Sequence, residues 1–397
     1  MLRTDTQTFR FINENLMADP AKLLLSAKKH PELDMQFIAD QILSRRQIRE
    51  KLPEWYAQEQ IIIPSRIAAE QCSSFQTAAY KQRLIKGETV CDLTGGLGVD
   101  TFYISKVTRK SFYIERFEAY CEAARHNFGV LGANHIEVMH GDSREIGIPD
   151  VDTIYLDPAR RGDANKRLFD LHDCEPDIVS LKGDLLKNAM RVIVKISPMA
   201  DITRTLSLLP ETTQIHVLSV KNECKELLFV LDRVAEDKPE PVIYCINYTS
   251  DGNEASFQFT TEEEQSGLPE YASEMGAYLY EPNASILKAG AFRSIALRFG
   301  LKKLQVNSHL YTSDEMISDF PGRIFKVEEV FEFTSKLSKK LAGEIPKANI
   351  TVRNFPLSVD ELRKKTKIKE GGEVYLFATT LGKETKLLIR CSKSDKK

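Results

Sequence analysis

At 397 residues the chain is too long for one compact core, so two or three domains are expected. Its 42% hydrophobic and 28% charged content is that of an ordinary globular protein, and no run reaches the roughly 18 apolar residues of a membrane span. The net charge of −2 hides an asymmetry: residues 321–397 carry 18 Lys and Arg against 10 Asp and Glu, the pattern of a polyanion-binding end or of a solvated basic face.

Residues 1–80 place apolar side chains at helical spacing over Phe9–Leu16, Ala21–Ala27 and Met35–Leu52, with breaks at Asp19-Pro20 and Leu52-Pro53. Glu70-Gln71-Cys72-Ser73-Ser74, ahead of Phe75, reads as a serine helix cap or as a cover over a ligand site. From about residue 85 to 235 strands and helices alternate, the pattern of a doubly wound α/β sheet. The strands are expected at Thr89–Leu93, Ser111–Glu115, Ile136–His140, Thr153–Asp157, Arg191–Ser197, Gln214–Val220 and Leu227–Val234. Only Lys221 to Glu226 joins the last two, too short for a helical crossover, so that pair should be antiparallel. Strands at Val242–Tyr248 and Ala255–Thr260 lead to an acidic linker, Glu262-Glu263-Glu264-Gln265-Ser266-Gly267. A small mixed unit over 270–320 turns from strand to helix at Glu281-Pro282-Asn283, with Pro282 placed for a helix start. The last module alternates strands with helices at Ser335–Leu341 and Ser358–Lys365 before a final hairpin.

Val90-Cys91-Asp92-Leu93-Thr94-Gly95-Gly96-Leu97-Gly98-Val99-Asp100 takes an apolar strand through a glycine turn into a helix. Such a turn lets a ligand approach the backbone, and the helix start offers free N–H groups. The third glycine of a dinucleotide fingerprint is missing, and Asp92 and Asp100 would repel pyrophosphate. Two acids suit a cationic ammonium instead, and S-adenosylmethionine carries one, with a sulfonium and no phosphate. Glu115 closes the second strand, where an acid can accept from ribose hydroxyls. Asp142 follows the third, placed for an adenine amino group, and Asp157-Pro158-Ala159-Arg160 closes the fourth, where a transferred methyl would lie. Ligands of open α/β sheets bind outside the carboxyl ends of the strands, where these acids stand.

The motifs resemble class I S-adenosylmethionine-dependent methyltransferases over about residues 70–235. The resemblance implies a Rossmann-like seven-stranded sheet with an antiparallel last strand, and S-adenosylmethionine as cofactor. It implies cofactor contacts from Asp92, Thr94, Gly95, Gly96, Gly98, Asp100, Glu115, Arg116, Asp142 and Ser143. More narrowly, Glu70 to Ser74, Leu156 to Arg161, Lys195-Ile196-Ser197-Pro198-Met199 and Tyr280-Glu281-Pro282-Asn283 resemble bacterial proteins that add a small ferredoxin-like insert and a C-terminal THUMP-like domain. This implies a helical N-terminal region (1–80), a methyltransferase domain (81–262), a ferredoxin-like domain (268–320) and a THUMP-like domain (321–397), the last two small and α+β. The THUMP-like part implies structured RNA as substrate.

Uridine C5 methyltransferases attack the base with a Cys in Ser-Cys-Asn-Pro, and here Ile196 stands at that place. Cys174 lies between Asp173 and Glu175, whose charges oppose a thiolate. Direct displacement by a base nitrogen or a hydroxyl is therefore expected, with Asp157 orienting the nucleophile or accepting its proton and Pro158 stiffening the loop. Arg160 and Arg161 would hold substrate, and Lys195 either faces Asp157 or makes a second substrate contact. Arg363, Lys364 and Lys365 offer contacts to backbone phosphates, or form a charged helix end. Tyr278, Tyr280 and Phe292 either stack on bases or belong to the core. Seven scattered cysteines with no signal peptide point to a cytoplasm with reduced thiols, no metal site and no membrane partner. The alternatives are a methyltransferase for protein or small molecules, and an RNA-binding protein without activity.

Overall fold

The computed structural model describes residues 5–160, 171–233, 239–334 and 343–394, with Leu337 and Leu341. Two compact units emerge, one of residues 1–214 and 226–239, the other of 215–225 and 240–397.

The seven expected strands are present as β1 (Thr89–Asp92), β2 (Lys110–Glu115), β3 (Ile136–His140), β4 (Thr153–Leu156), β5 (Arg191–Ile196), β6 (Thr212–Val220) and β7 (Glu223–Asp232). Six of them, all but β6, lie in the first unit in the order β7-β5-β4-β1-β2-β3. Strands β1 to β5 run parallel, and β7 runs antiparallel to β5. β6 turns into β7 through Lys221-Asn222, both left-handed at φ 52° and 62°, which is the twist a two-residue hairpin needs. Every residue of β4 is buried, as expected of a strand covered on both faces.

The N-terminal helices include Thr6–Glu14, Met35–Ile48 and Phe75–Lys81. They are tied to the sheet unit by buried amides rather than by apolar contact alone. Gln41 and the Ile63 backbone bond each other reciprocally, and Asn127, on the helix Glu118–Val130, does the same with Ile62. The connector Ile61-Ile62-Ile63 therefore satisfies backbone groups that burial would otherwise orphan. Arg45, 1% exposed, completes the seam by donating to the carbonyls of Gln58, Glu59 and Ile61. Burial lowers its pKa to about 10.

In the second unit, Val242–Tyr248 and Glu254–Thr260 form an antiparallel hairpin. The acidic stretch expected as a linker is instead the helix Thr261–Ser266, because Thr260 and Glu263 close a capping box around its start. Glu264 from that helix accepts the backbone N–H groups of Phe292, Arg293 and Ser294, fixing the next turn of chain. Asn283, rather than Pro282, caps the helix Ala284–Ala289, and Pro282 ends the strand before it. The stretches read as two C-terminal domains share one sheet, since Tyr278–Pro282 pairs antiparallel with Gly322–Glu332. One core runs beneath both, with Leu279, Leu304, Phe325, Phe377 and Ile389 in it. Tyr280 is fully buried and bonds the Glu315 carbonyl, so it is core and not a stacking platform. Phe292 packs on His309 with ring centroids 3.6 Å apart. Arg161 and most of Ser335–Leu341 lie outside the described residues.

Among the described residues, no helix is long and apolar enough to cross a membrane, and no group of three or more His, Cys, Asp or Glu could hold a metal.

Candidate active site

The glycine turn is held from below by its own strand ends. Asp92, 2% exposed, accepts from Thr94 N–H at 2.9 Å and from Thr101 Oγ1 at 2.6 Å. Burial pushes its carboxyl up to about 7. Gly95 N–H donates to the Ile114 carbonyl, and a Cβ there would lie 2.2 Å from the Tyr113 ring, so only glycine fits. Gly98 is left-handed at φ 86°, and its Cβ would meet Phe128 at 2.8 Å. Gly96, at φ 55°, differs: no atom lies nearer than 3.8 Å to where its Cβ would stand. Its N–H donates to Glu115 Oε2 at 3.0 Å, while Oε1 accepts from Phe117 N–H. The open face of the turn is thus bare backbone beside a carboxylate, a cradle that a side chain at Gly96 would fill.

Thr94 links this turn to the reacting edge. Its Oγ1 accepts the Asp157 N–H at 2.6 Å. Asp157 follows β4, and its side chain is 41% exposed. Lys195, from neighbouring β5, places Nζ 2.6 Å from Asp157 Oδ2. Lys195 thus faces Asp157, as in the first of the two sequence readings.

Beneath that pair lies a lattice of charges. Lys81, wholly buried at the end of Phe75–Lys81, reaches Asp100 at 2.8 Å, Glu226 at 2.7 Å and Ser73 Oγ at 3.1 Å. The ammonium donates hydrogen bonds to Asp100 and Ser73 and pairs in charge with Glu226, and such pairing is the condition under which a buried lysine is tolerated. Ser73 donates to Asp100 at 2.9 Å and accepts from Lys195 at 3.3 Å, while Tyr155 donates to Asp100 at 2.7 Å. Asp100 and Glu226 stand 3.8 and 4.0 Å from Lys195. Burial works against both charged forms, but the ammoniums outweigh it and hold Asp100 below the usual carboxylate range. Asp157, Asp100 and Glu226 likewise outweigh burial and hold Lys195 above the usual lysine range.

Two acids expected at the cofactor also have partners within the protein. Asp100, expected to face an ammonium ligand, is committed to Lys81, Ser73 and Tyr155. Asp142 is wrapped by Arg144, whose backbone N–H and guanidinium both donate to it, and the carboxyl falls to about 2. Arg144 also reaches Glu175 at 2.6 Å, and Arg116 reaches the same carboxylate at 3.5 Å. Ser143 is half-buried beside them. Arg160 lies in a two-residue strand paired with Cys174–Glu175. Ile196 and Cys174 are buried, and burial pushes the Cys72 thiol up. Ser73, Lys81, Tyr155 and Glu226 were not picked from sequence. The available signal was a charge abutting an apolar run, as in Glu226-Leu227-Leu228-Phe229-Val230-Leu231.

In the second unit, Arg363 spends its guanidinium on the Ile368 and Ala348 carbonyls, whereas Lys364 and Lys365 are exposed.

Comparison with known proteins bears on this site. A ferredoxin-like domain model matches residues 278–321, and a THUMP domain-like model matches 322–393. A protein from Mycobacterium tuberculosis named an uncharacterized S-adenosylmethionine-dependent methyltransferase is 21% identical over 327 residues, 79% of this chain and 84% of its own. A crystal structure from Porphyromonas gingivalis W83, described as a candidate methyltransferase, is 38% identical over the whole of both chains with a TM-score of 0.90. The chain belongs to this family of S-adenosylmethionine-dependent methyltransferases. A tRNA (uracil(54)-C(5))-methyltransferase of Pyrococcus horikoshii is 26% identical to the methyltransferase over 155 residues, 37% of this chain and 38% of its own. The cofactor is S-adenosylmethionine, and the bare Gly96 cradle with Glu115 beside it fits a ligand with a ribose and no phosphate.

Proposed function

We propose that the methyltransferase modifies structured RNA, at a nitrogen or a hydroxyl, by direct displacement with no covalent enzyme intermediate. The observation that carries this reading is the Asp157–Lys195 pair at the carboxyl end of β4, joined through Thr94 to the glycine turn. When bound, S-adenosylmethionine supplies a methyl group on a sulfonium, a donor that needs no further activation by the protein. The turn backbone at Gly95, Gly96 and Gly98 would face its amino-acid end, and Glu115 its ribose. Arg116, Asp142 and Ser143 would face its adenine side. Asp92 and Thr94 shape the turn. Asp157 receives the proton that the nucleophile gives up, and Pro158 keeps the carboxylate at the strand end. Buried Ile196 and Cys174 supply no thiolate for attack on a pyrimidine.

RNA is favoured over a protein or small molecule by the THUMP domain-like match at 322–393, by the tRNA-modifying relative, and by exposed Lys364 and Lys365 on the basic C-terminal part. The 321–397 stretch is accordingly read as the RNA-holding module. Incubation of the full chain with methyl-labelled cofactor and either total RNA or protein extract tests the reading. Label in RNA alone is expected. Label in protein alone would overturn it.

A further inference from the structure

We propose that the nucleophile is a hydroxyl, the ribose 2′-hydroxyl when the substrate is RNA, and that Lys81 and Glu226 are positioning residues that hold the Lys195 ammonium against Asp157. The first half rests on the RNA reading above and narrows it.

The argument begins with exposure. Of the five charged side chains in the lattice, Lys81 is 0%, Glu226 4%, Asp100 12% and Lys195 13% exposed, against 41% for Asp157. The lattice therefore opens to solvent at one end, and that end is a carboxylate with an ammonium just beneath it. Lys195 bonds Asp157 and Ser73, while Asp100 and Glu226 stand beyond hydrogen-bond length at 3.8 and 4.0 Å. Among the described residues, no acceptor besides Asp157 and Ser73 lies within hydrogen-bond length of Lys195, so its third N–H can serve an oxygen seated beside Asp157.

A fixed cation next to a proton acceptor discriminates between nucleophiles. An amine or ring nitrogen gains positive charge as it attacks a sulfonium, and a neighbouring ammonium opposes that charge. A hydroxyl oxygen gains negative charge as its proton leaves, and the same ammonium stabilises it. The balanced step is a single displacement. The hydroxyl oxygen forms a C–O bond to the methyl carbon as the C–S bond breaks with its electrons going to sulfur, leaving a neutral thioether. The hydroxyl proton goes to Asp157 and from there to water, and Lys195 stays protonated throughout.

Lys81 makes this arrangement possible. It takes Asp100 and Glu226 at 2.8 and 2.7 Å, so neither carboxylate draws Lys195 back from Asp157. Glu226 and Asp100 in return, with Asp157, keep a cation favourable at a site where burial alone disfavours charge. Without Lys81, Lys195 would be the sole lysine facing three carboxylates.

The test uses the full chain, labelled S-adenosylmethionine and RNA from cells lacking the gene. Alkali cleaves RNA through the free 2′-hydroxyl, so a 2′-O-methyl group leaves the label in an alkali-stable dinucleotide, whereas base methylation leaves it in a mononucleotide. Label in dinucleotides is expected. Label in mononucleotides overturns the hydroxyl assignment and leaves the RNA reading standing, while no label in RNA overturns both. For the positioning role, Glu226→Gln is paired with the double variant Lys81→Met/Glu226→Gln, which removes both charges together and avoids an orphaned ion. Each folded variant is expected to lose about 100-fold in kcat. The KM for RNA and the Kd for S-adenosylmethionine should stay within about threefold of the parent. A folded variant that keeps its kcat, or one whose loss appears in KM alone, overturns the role.

Discussion

Lys195 Nζ lies 2.6 Å from Asp157 Oδ2 because β4 and β5 are parallel neighbours in register, with Leu156 opposite Val194. The residues that follow those partners, an acid and a lysine, are thereby brought level at the carboxyl end of the sheet. Asp157→Ala removes the proton acceptor while leaving Lys195 near Asp100 and Glu226, so the fold should persist. The expected loss in kcat is about 10²- to 10⁴-fold. Cofactor affinity, measured by calorimetry, should change by only a few-fold, since the turn and Glu115 are untouched. Retained turnover would remove Asp157 from the chemistry.

The glycines separate a structural demand from a ligand demand. Gly95→Ala forces a Cβ to within 2.2 Å of the Tyr113 ring and should lower the melting temperature whether or not cofactor is present. Gly96→Ala meets nothing within 3.8 Å and pays only the strain of φ 55°, about 1 kcal/mol. It should fold almost as well as the parent yet lose the thermal shift that saturating cofactor produces. An undiminished shift in Gly96→Ala would place the ligand elsewhere.

Asp92 and Asp100 make opposite contributions to the pH dependence of stability. Burial raises Asp92 to about 7 from 3.8, so the folded state holds that proton more tightly than the unfolded chain. Stability contributed there is full below about pH 4, falls as pH rises toward about 7, and levels off above it, a total of up to about 4 kcal/mol. Asp100 is held low by Lys81 and Lys195 against burial, so its contribution is present above pH 3.8 and lost in acid. Asp92→Asn keeps an acceptor for Thr94 N–H and removes the buried charge. It should be more stable than the parent near pH 8 and little different near pH 4, as denaturant titrations will show. An equal difference at both pH values would assign the effect to packing.

The sheet was legible because alternating strands and helices have different hydrophobic periods, and because Lys221 to Glu226 is too short for a crossover. The glycine turn, Glu115 and Asp157 were legible for a related reason: they interrupt apolar strands at their carboxyl ends. The lattice was not. Ser73 and Ser74 are adjacent in a run that reads as a helix cap, and Ser74 does accept from Thr77 N–H, but Ser73 turns to Lys81, Lys195 and Asp100. That choice depends on side chains arriving from β4, β5 and β7, and no local pattern encodes it. The partners of Asp100 were hidden for the same reason, since its neighbours in sequence say nothing of Lys81. The continuous C-terminal sheet was hidden because Phe320-Pro321-Gly322 reads as a boundary, whereas Gly322 packs where any Cβ would lie 2.2 Å from the Glu281 carbonyl.

The basic helix Val359–Thr366 offers a final separation, between lysines that are exposed and an arginine whose guanidinium is bonded to the backbone. Arg363 donates to the Ile368 and Ala348 carbonyls at 3.2 and 3.3 Å, closing the helix end on the strand before it. Arg363→Ala should therefore cost about 1 kcal/mol of stability. Lys364 and Lys365 are exposed in the last turn, where they also favour the helix dipole. If they contact RNA phosphates, Lys364→Ala/Lys365→Ala should weaken RNA binding regardless of sequence. It should also reduce the slope of log affinity against log salt by about 1 to 2, at nearly unchanged stability. Filter-binding over a salt series measures both quantities on one sample. An unchanged slope with intact folding would move the RNA contact off this helix, since a lysine that releases no counterion touches no phosphate.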